Sequence, residues 1–144
     1  MEVLAQYKNM KDYMFQDQRL ETFSEWPFDE DSSCNAHKMA EAGFIFCGSK
    51  SEPDLAQCQV CLKKLDGWEQ DDEPWKEHKK HSPSCLYVKI GKKEADMTVG
   101  NYFDLPLERR RNIMKEEYET YRASFIEMAA EVRKKITKLR KLKK

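Results

Sequence analysis

With 144 residues the chain has room for one ordinary domain plus an appendage, and at 36% charged residues it has little material for a large apolar core. Five cysteines, an odd number, no apolar leader-like opening and no run of about 18 apolar residues together predict a reduced, intracellular protein with no membrane partner, whose thiols serve a metal rather than disulfides. The formal net charge of zero hides a split, since residues 1–97 carry 13 Lys and Arg against 19 Asp and Glu, whereas residues 98–144 carry 13 against 7. That asymmetry predicts an acidic surface for cationic ligands and a basic segment for anionic surfaces or partner helices.

Residues 1–17 read as an N-terminal arm, with scattered aromatics and methionines and no helix caps. In RLETFSEWPF, residues 19–28, Leu20, Phe23 and the group from Trp26 to Phe28 lie at helical spacing until Pro27, which predicts a short core helix. CNAHKMAEAGFIFC, residues 34–47, predicts a second helix ended by Gly43 and an extended run from Phe44 to Cys47. LAQCQVCLKKLDGW, from Leu55, reads as two short strands around Cys58 and Cys61. EPWKEHKKH, from Glu73, reads as a helix with Pro74 in its first turn, so that His78 is delivered from a helix. Cys34, Cys47 and His37 are assigned to core or surface.

Residues 90–97 read as a linker, and 98–144 as a long amphipathic helix rich in Glu, Lys, Arg and Met. Met114, Tyr118, Tyr121, Phe125, Met128 and Val132 alternate steps of four and three, the seam of a coiled coil, which resumes at Leu139 after Lys135 interrupts it. A rod of roughly 55 Å over 107–144 exceeds what a domain of about 90 residues can cover, so the seam calls for partner helices. Pro106 predicts a turn over 98–104 and a fresh helical start near Leu105. Eight basic and no acidic residues from Arg133 to Lys144 suit either weak contact with nucleic acid or a solvated helix end.

Cys58, Cys61, His78 and Cys85 have the composition of a closed structural zinc site, with the Cys-x2-Cys opening of a metal knuckle. Four unrelated buried residues are the competing reading, because free cysteine is often simply core. One structural Zn2+ bound by three thiolates and an imidazole has no open position for water, and no nucleophile and base stand out, so the reading is non-enzymatic. Asp66, Asp71 and Asp72 bracket Trp68, with Leu65 beside it. They are either a notch for an ammonium and a methyl group or a solvated acidic loop. The fold class predicted is α+β, a small zinc-stabilised domain of short helices around a small antiparallel sheet over 18–89, followed by a long C-terminal α-helix.

Read together, Cys-x2-Cys-x6-Trp-x3-Asp-x5-His-x6-Cys resembles the signature of the baculovirus inhibitor-of-apoptosis repeat, or BIR domain. Arg19, Phe23, Trp26, the AEAGF ending at Phe44 and the PDLAQC ending at Cys58 resemble it too. The resemblance implies capture of a free N-terminus that begins with alanine, by Asp72, Asp66, Trp68, Leu65 and Glu52. Asp66 stands where the family has Glu, one methylene longer, so Asp72 is the safer anchor. For single-repeat members with one long helix, the resemblance implies further partners. These are a histone N-terminal tail phosphorylated on threonine, with Lys63 and His81 facing the phosphate, and helices of borealin and the inner centromere protein bundled on the seam. Aurora B kinase follows indirectly, as a mitotic chromosomal passenger complex at the nucleus, centromere and spindle midzone, with a cytoplasmic pool. Homodimerisation through Ile90, Met97, Val99 and Tyr102 is also implied, although Glu94 replaces a phenylalanine and Lys11 a tryptophan of the family. Two other functions share these features: an apoptosis inhibitor acting on caspases or their alanine-starting antagonists, and a zinc-dependent nucleic-acid binder.

Overall fold

The computed structural model describes residues 13–142, so most of the predicted arm, with Lys11, lies outside the described residues. The chain forms two compact units that divide between Arg110 and Arg111.

In the first unit, α1 (Gln16–Leu20) runs into a 3-10 turn, Glu21–Phe23. The core helix expected over 19–28 is therefore displaced toward the N-terminus and shorter. The reason lies in Arg19. It is fully buried, and its guanidinium donates to the carbonyls of Ala40 (2.8 Å), Tyr13 (3.1 Å) and Met14 (2.7 Å) and to the Tyr87 hydroxyl (3.1 Å). Such a five-donor fork can be buried only where each N–H finds an acceptor, and that requirement fixes α1. Burial holds the Tyr87 phenol up at about 12, with Arg19 pulling the other way, so the hydroxyl stays protonated and donates to the Glu41 carbonyl at 2.9 Å.

Helix α2 (Ala36–Glu41) is capped by the Asn35 side chain, which accepts from the Lys38 amide at 3.0 Å. Gly43 then turns the chain at φ 88°, and a Cβ there would stand 2.9 Å from the Tyr87 ring, so both conformation and space call for glycine. The expected strands follow: β1 (Phe44–Phe46), β2 (Ala56–Cys58) and β3 (Lys64–Leu65) form one antiparallel sheet in the order β1-β2-β3. Phe44 pairs with Cys58 and Ala56 with Leu65, which places the first cysteine of the knuckle at a strand end. Helix α3 (Pro74–His81) begins on proline as its sequence predicts. Helix α4 (Leu86–Ile90) lacks a periodic sequence signal and ends on left-handed Gly91.

The core is aromatic. Trp26 meets Phe23 (5.2 Å), Phe46 (5.8 Å) and Trp68 (6.4 Å) edge-on, and Phe44 meets Trp68 at 5.4 Å, arrangements that add to simple burial. Within the predicted linker a 3-10 turn forms at Glu94–Asp96. The Glu94 carboxylate accepts from the Gln16 amide at 2.5 Å and lies 3.6 Å from the Arg19 guanidinium, so this residue is spent inward on α1.

Helix α5 (Val99–Leu142) corrects the expected break at Pro106, because it runs through the proline from its first turn at Val99. A mid-helix proline removes one hydrogen bond at a cost of about 3 kcal/mol, yet anchors stand on both sides of it. Tyr102 donates to the Glu94 carbonyl at 3.2 Å, Leu105 is buried in the core, and Arg109 donates to the Gln59 carbonyl. Tertiary anchoring outweighs the local penalty.

The second unit is helical from Arg111 to Leu142, a stretch of about 48 Å.

Candidate metal centre and acid-lined hollow

The Cys-x2-Cys turn leaves β2 with a local hydrogen-bond pattern that aims both sulfurs one way. The Cys58 sulfur accepts from the Val60 amide (3.3 Å) and the Cys61 amide (3.5 Å), while the Leu62 amide donates to the Cys58 carbonyl at 3.0 Å. Leu62 is held at φ 63°, a left-handed conformation uncommon for leucine, which closes the turn and sends the chain back into β3. His78 arrives from α3, and Cys85 from the residue preceding α4.

One ligand atom from each of Cys58, Cys61, His78 and Cys85 lies within 4.8 Å of the others. Two separations are diagnostic: 3.9 Å between the Cys58 and Cys85 sulfurs, and 3.7 Å from the Cys61 sulfur to His78 Nε2. A tetrahedral ion with metal–sulfur bonds near 2.3 Å and metal–nitrogen bonds near 2.0 Å requires edges of about 3.8 and about 3.5 Å. His78 Nδ1 lies 2.8 Å from the Ala42 carbonyl, an acceptor that fixes the proton on Nδ1 and frees Nε2 for a metal. The donor set fits a closed zinc site.

Protonation couples the members of the cluster in the absence of an ion. Burial pushes the Cys58 thiol well above its usual range, and its hydrogen bonds with Cys61 and Cys85 push further. Cys61, hydrogen-bonded by Cys58 and Cys85, is held far below that range. Burial would lower the His78 imidazole, but hydrogen bonding to Cys61 and Cys85 outweighs it and raises His78 to about 9. The Cys61 thiolate is thus matched by a proton on His78, and a metal that binds at the cluster has to displace the protons of Cys58 and of His78 Nε2.

Between the second and third ligands, residues of the segment from Leu65 to Asp72 line a hollow of about 390 Å³. Its walls include Leu65, Asp66, Trp68, Asp72 and, from α3, Glu77 and His81. Five residues proposed from sequence are therefore brought together, whereas Glu52, in an exposed turn, and Lys63, exposed beyond the knuckle, lie outside this lining. The loop is set from below: the Trp68 amide donates to Asp54 at 2.7 Å, and the indole is buried beside Phe44 and donates to the Leu65 carbonyl at 3.3 Å. Asp72 accepts from the Glu69 amide at 2.8 Å, which orients its carboxylate.

Sequence reasoning missed Glu77. Its carboxylate lies 3.0 Å from Lys80 Nζ and 3.3 Å from His81 Nε2, and the Lys80 ammonium holds it below the usual carboxylate range. The signal was present in the i, i+3, i+4 spacing of Glu77, Lys80 and His81 on one helix. A second hollow, apolar and about 360 Å³, is lined by Met14, Phe15, Val99, Tyr102, Phe103 and Pro106. It includes two of the four residues expected at a homodimer contact, while Ile90 and Met97 are partly buried against the core. Along the second unit Met114, Tyr118, Tyr121, Phe125, Met128, Val132 and Leu139 are all exposed, so the seam is an uncovered stripe among the described residues.

The family model described as "Inhibitor of Apoptosis domain" matches residues 19–89. Baculoviral IAP repeat-containing protein 5 of Rattus norvegicus is 44% identical over 127 residues, covering 88% of this chain and 89% of its own. Baculoviral IAP repeat-containing protein 5.2 of Xenopus tropicalis is 44% identical over 121 residues, covering 84% and 78%. Among solved structures, DIAP1 BIR1 bound to a Grim peptide is 30% identical, covers 56% of this chain and 76% of its own, and has a TM-score of 0.48.

Replacing Cys58 with Ser is expected to unfold the first unit, because it removes one ligand and leaves the remaining buried sulfurs short of a partner. Loss of near-ultraviolet circular dichroism with retained far-ultraviolet signal from α5 would show this; an unchanged near-ultraviolet spectrum would contradict it.

Proposed function

The chain belongs to the inhibitor-of-apoptosis family, in its single-repeat, survivin-type branch, and on that premise we propose that it is a non-enzymatic adaptor with one structural zinc ion. Its BIR domain reads a free N-terminus that begins with alanine, and its long helix docks partner helices. The observation that carries this reading is the acid-lined hollow strung between two metal ligands. Asp66 and Asp72 offer carboxylates for an ammonium, Leu65 and Trp68 offer an apolar wall for a methyl, and His81 stands at the margin of the same hollow.

The ligand we propose is a histone tail starting Ala-Arg-Thr with phosphate on that threonine. A phosphate brings about −1.5 to −2 charges and must find cations within an otherwise acidic face. Lys80 and His81 already face a carboxylate, Glu77, and the phosphate takes that carboxylate's place beside them, with Lys63 approaching from the knuckle. Glu52 faces the arginine that follows the alanine.

The uncovered stripe supports bundling with helices of borealin and the inner centromere protein. Burying each of its large side chains is worth about 1.5–3 kcal/mol, and two tyrosines in the seam weigh against a tight homodimer of this helix. Through these partners the adaptor brings Aurora B kinase to centromeres and then the spindle midzone in mitosis, working from nuclear and cytoplasmic pools. Restraint of apoptosis through caspases or alanine-starting antagonists is the second reading, since the same hollow accepts any such N-terminus. The surface that suits homodimerisation is the apolar hollow lined by Phe15, Val99 and Tyr102.

Titration of phosphorylated and unphosphorylated Ala-Arg-Thr peptides is expected to favour the phosphorylated form by about 10- to 100-fold, one charge-assisted hydrogen bond's worth. His81→Ala should remove most of that difference, and equal affinities for the wild type would end the histone reading. Phe125→Glu is expected to abolish assembly with the two partner helices, measured as particle mass, without altering peptide affinity; a persisting ternary mass would count against the seam.

A further inference from the structure

Charge in the second unit is gathered at one end. From Arg111 to Val132 it carries three basic residues against five acidic, whereas from Arg133 to Lys144 there are eight basic and none acidic. Upstream, Glu119 holds Arg122 at 3.3 Å in the manner of an ordinary solvated helix. Beyond Glu131 no acid remains to do so. The six described cations, Arg133, Lys134, Lys135, Lys138, Arg140 and Lys141, are all exposed, and none takes part in an ion pair among the described residues.

Their arrangement is directional. At 3.6 residues per turn, Val132, Ile136 and Leu139 share one side of α5, and Lys134, Lys138 and Lys141, spaced i, i+4, i+7, fall within about 60° of arc on the opposite side. Partner helices that cover the apolar row leave the lysine row facing outward.

We infer that this basic end of α5, centred on the lysine row and flanked by Arg133, Lys135 and Arg140, is a sequence-independent binding site for the phosphate backbone of duplex DNA. The charge densities match. Six cations over nine residues occupy about 13.5 Å of helix, a length over which duplex DNA presents about eight negative charges. A lipid surface fits less well, because an interfacial helix needs its apolar face in the membrane and favours bulky Trp, Phe or Leu there. Here the apolar row is narrow and continues the seam that calls for helices. The site uses no residue of the hollow, so it stands or falls independently of the peptide reading.

The test is fluorescence anisotropy of the whole chain with a random-sequence 20-base-pair duplex across a salt series, set beside the triple variant Lys134→Gln, Lys138→Gln, Lys141→Gln. Glutamine keeps helix propensity, and circular dichroism confirms that α5 persists. About five phosphate contacts predict a slope of log Kobs against log salt near −4.5, a several-hundred-fold loss between 50 and 200 mM. The triple variant should flatten the slope by about 2.7 and bind at least about tenfold more weakly at low salt, with peptide affinity unchanged. Equal binding by the variant, binding that ignores salt, or stronger binding to phosphatidylserine vesicles than to the duplex would each overturn the inference.

Discussion

Four side chains from three parts of the chain, the turn after β2, α3 and the start of α4, meet within 4.8 Å at Cys58, Cys61, His78 and Cys85, and the first unit depends on that convergence. Its sheet has strands of three, three and two residues, far below what stands alone in water. Helices α3 and α4 have eight and five residues, too short to persist by propensity. A metal ion held by the four donors would join the hairpin, α3 and the start of α4 in one step. The bond from His78 Nδ1 to the Ala42 carbonyl extends the constraint to the end of α2, where Gly43 turns the chain into β1.

The hollow follows from the same constraint. Its loop is pinned on one side by Cys61 and on the other by His78, and Trp68 anchors its middle in the aromatic core. What remains outside is carboxylate: Asp66, Glu69 and Asp72, with Asp72 already oriented by a backbone amide. A carboxylate oriented like that of Asp72 need not be ordered again when a cation meets it. Glu77 adds a counterweight, drawing Lys80 and His81 together on α3 and so keeping positive charge at the edge of an acidic face.

Much of this was legible in the sequence, for identifiable reasons. Cysteine and histidine spacing carries over into space because Cys58 and Cys61 share one tight turn, while His78 and Cys85 stand on one helix and at the start of the next. The strands around the knuckle, α2 and the proline-started α3 carried local signals strong enough to survive in the fold. What failed were places where tertiary contacts overrule local rules. Pro106 ought to interrupt a helix, and Leu105 and Arg109 hold it in one. Arg19 draws α1 toward the N-terminus through bonds to residues distant in sequence, which no periodicity reveals. Glu77 was overlooked because a carboxylate among lysines on a short helix reads as an ordinary solvated pair.

The central claim is that one metal ion both holds the fold and shapes the hollow, and simultaneous chelation and binding test it most directly. A strong chelator should be added to the intact chain while released zinc, tryptophan fluorescence and affinity for an alanine-starting peptide are followed together. The account predicts one zinc released per chain, with fluorescence and affinity lost in the same step and both restored when zinc returns. A metal-free chain that keeps its fluorescence and still binds the peptide would contradict it.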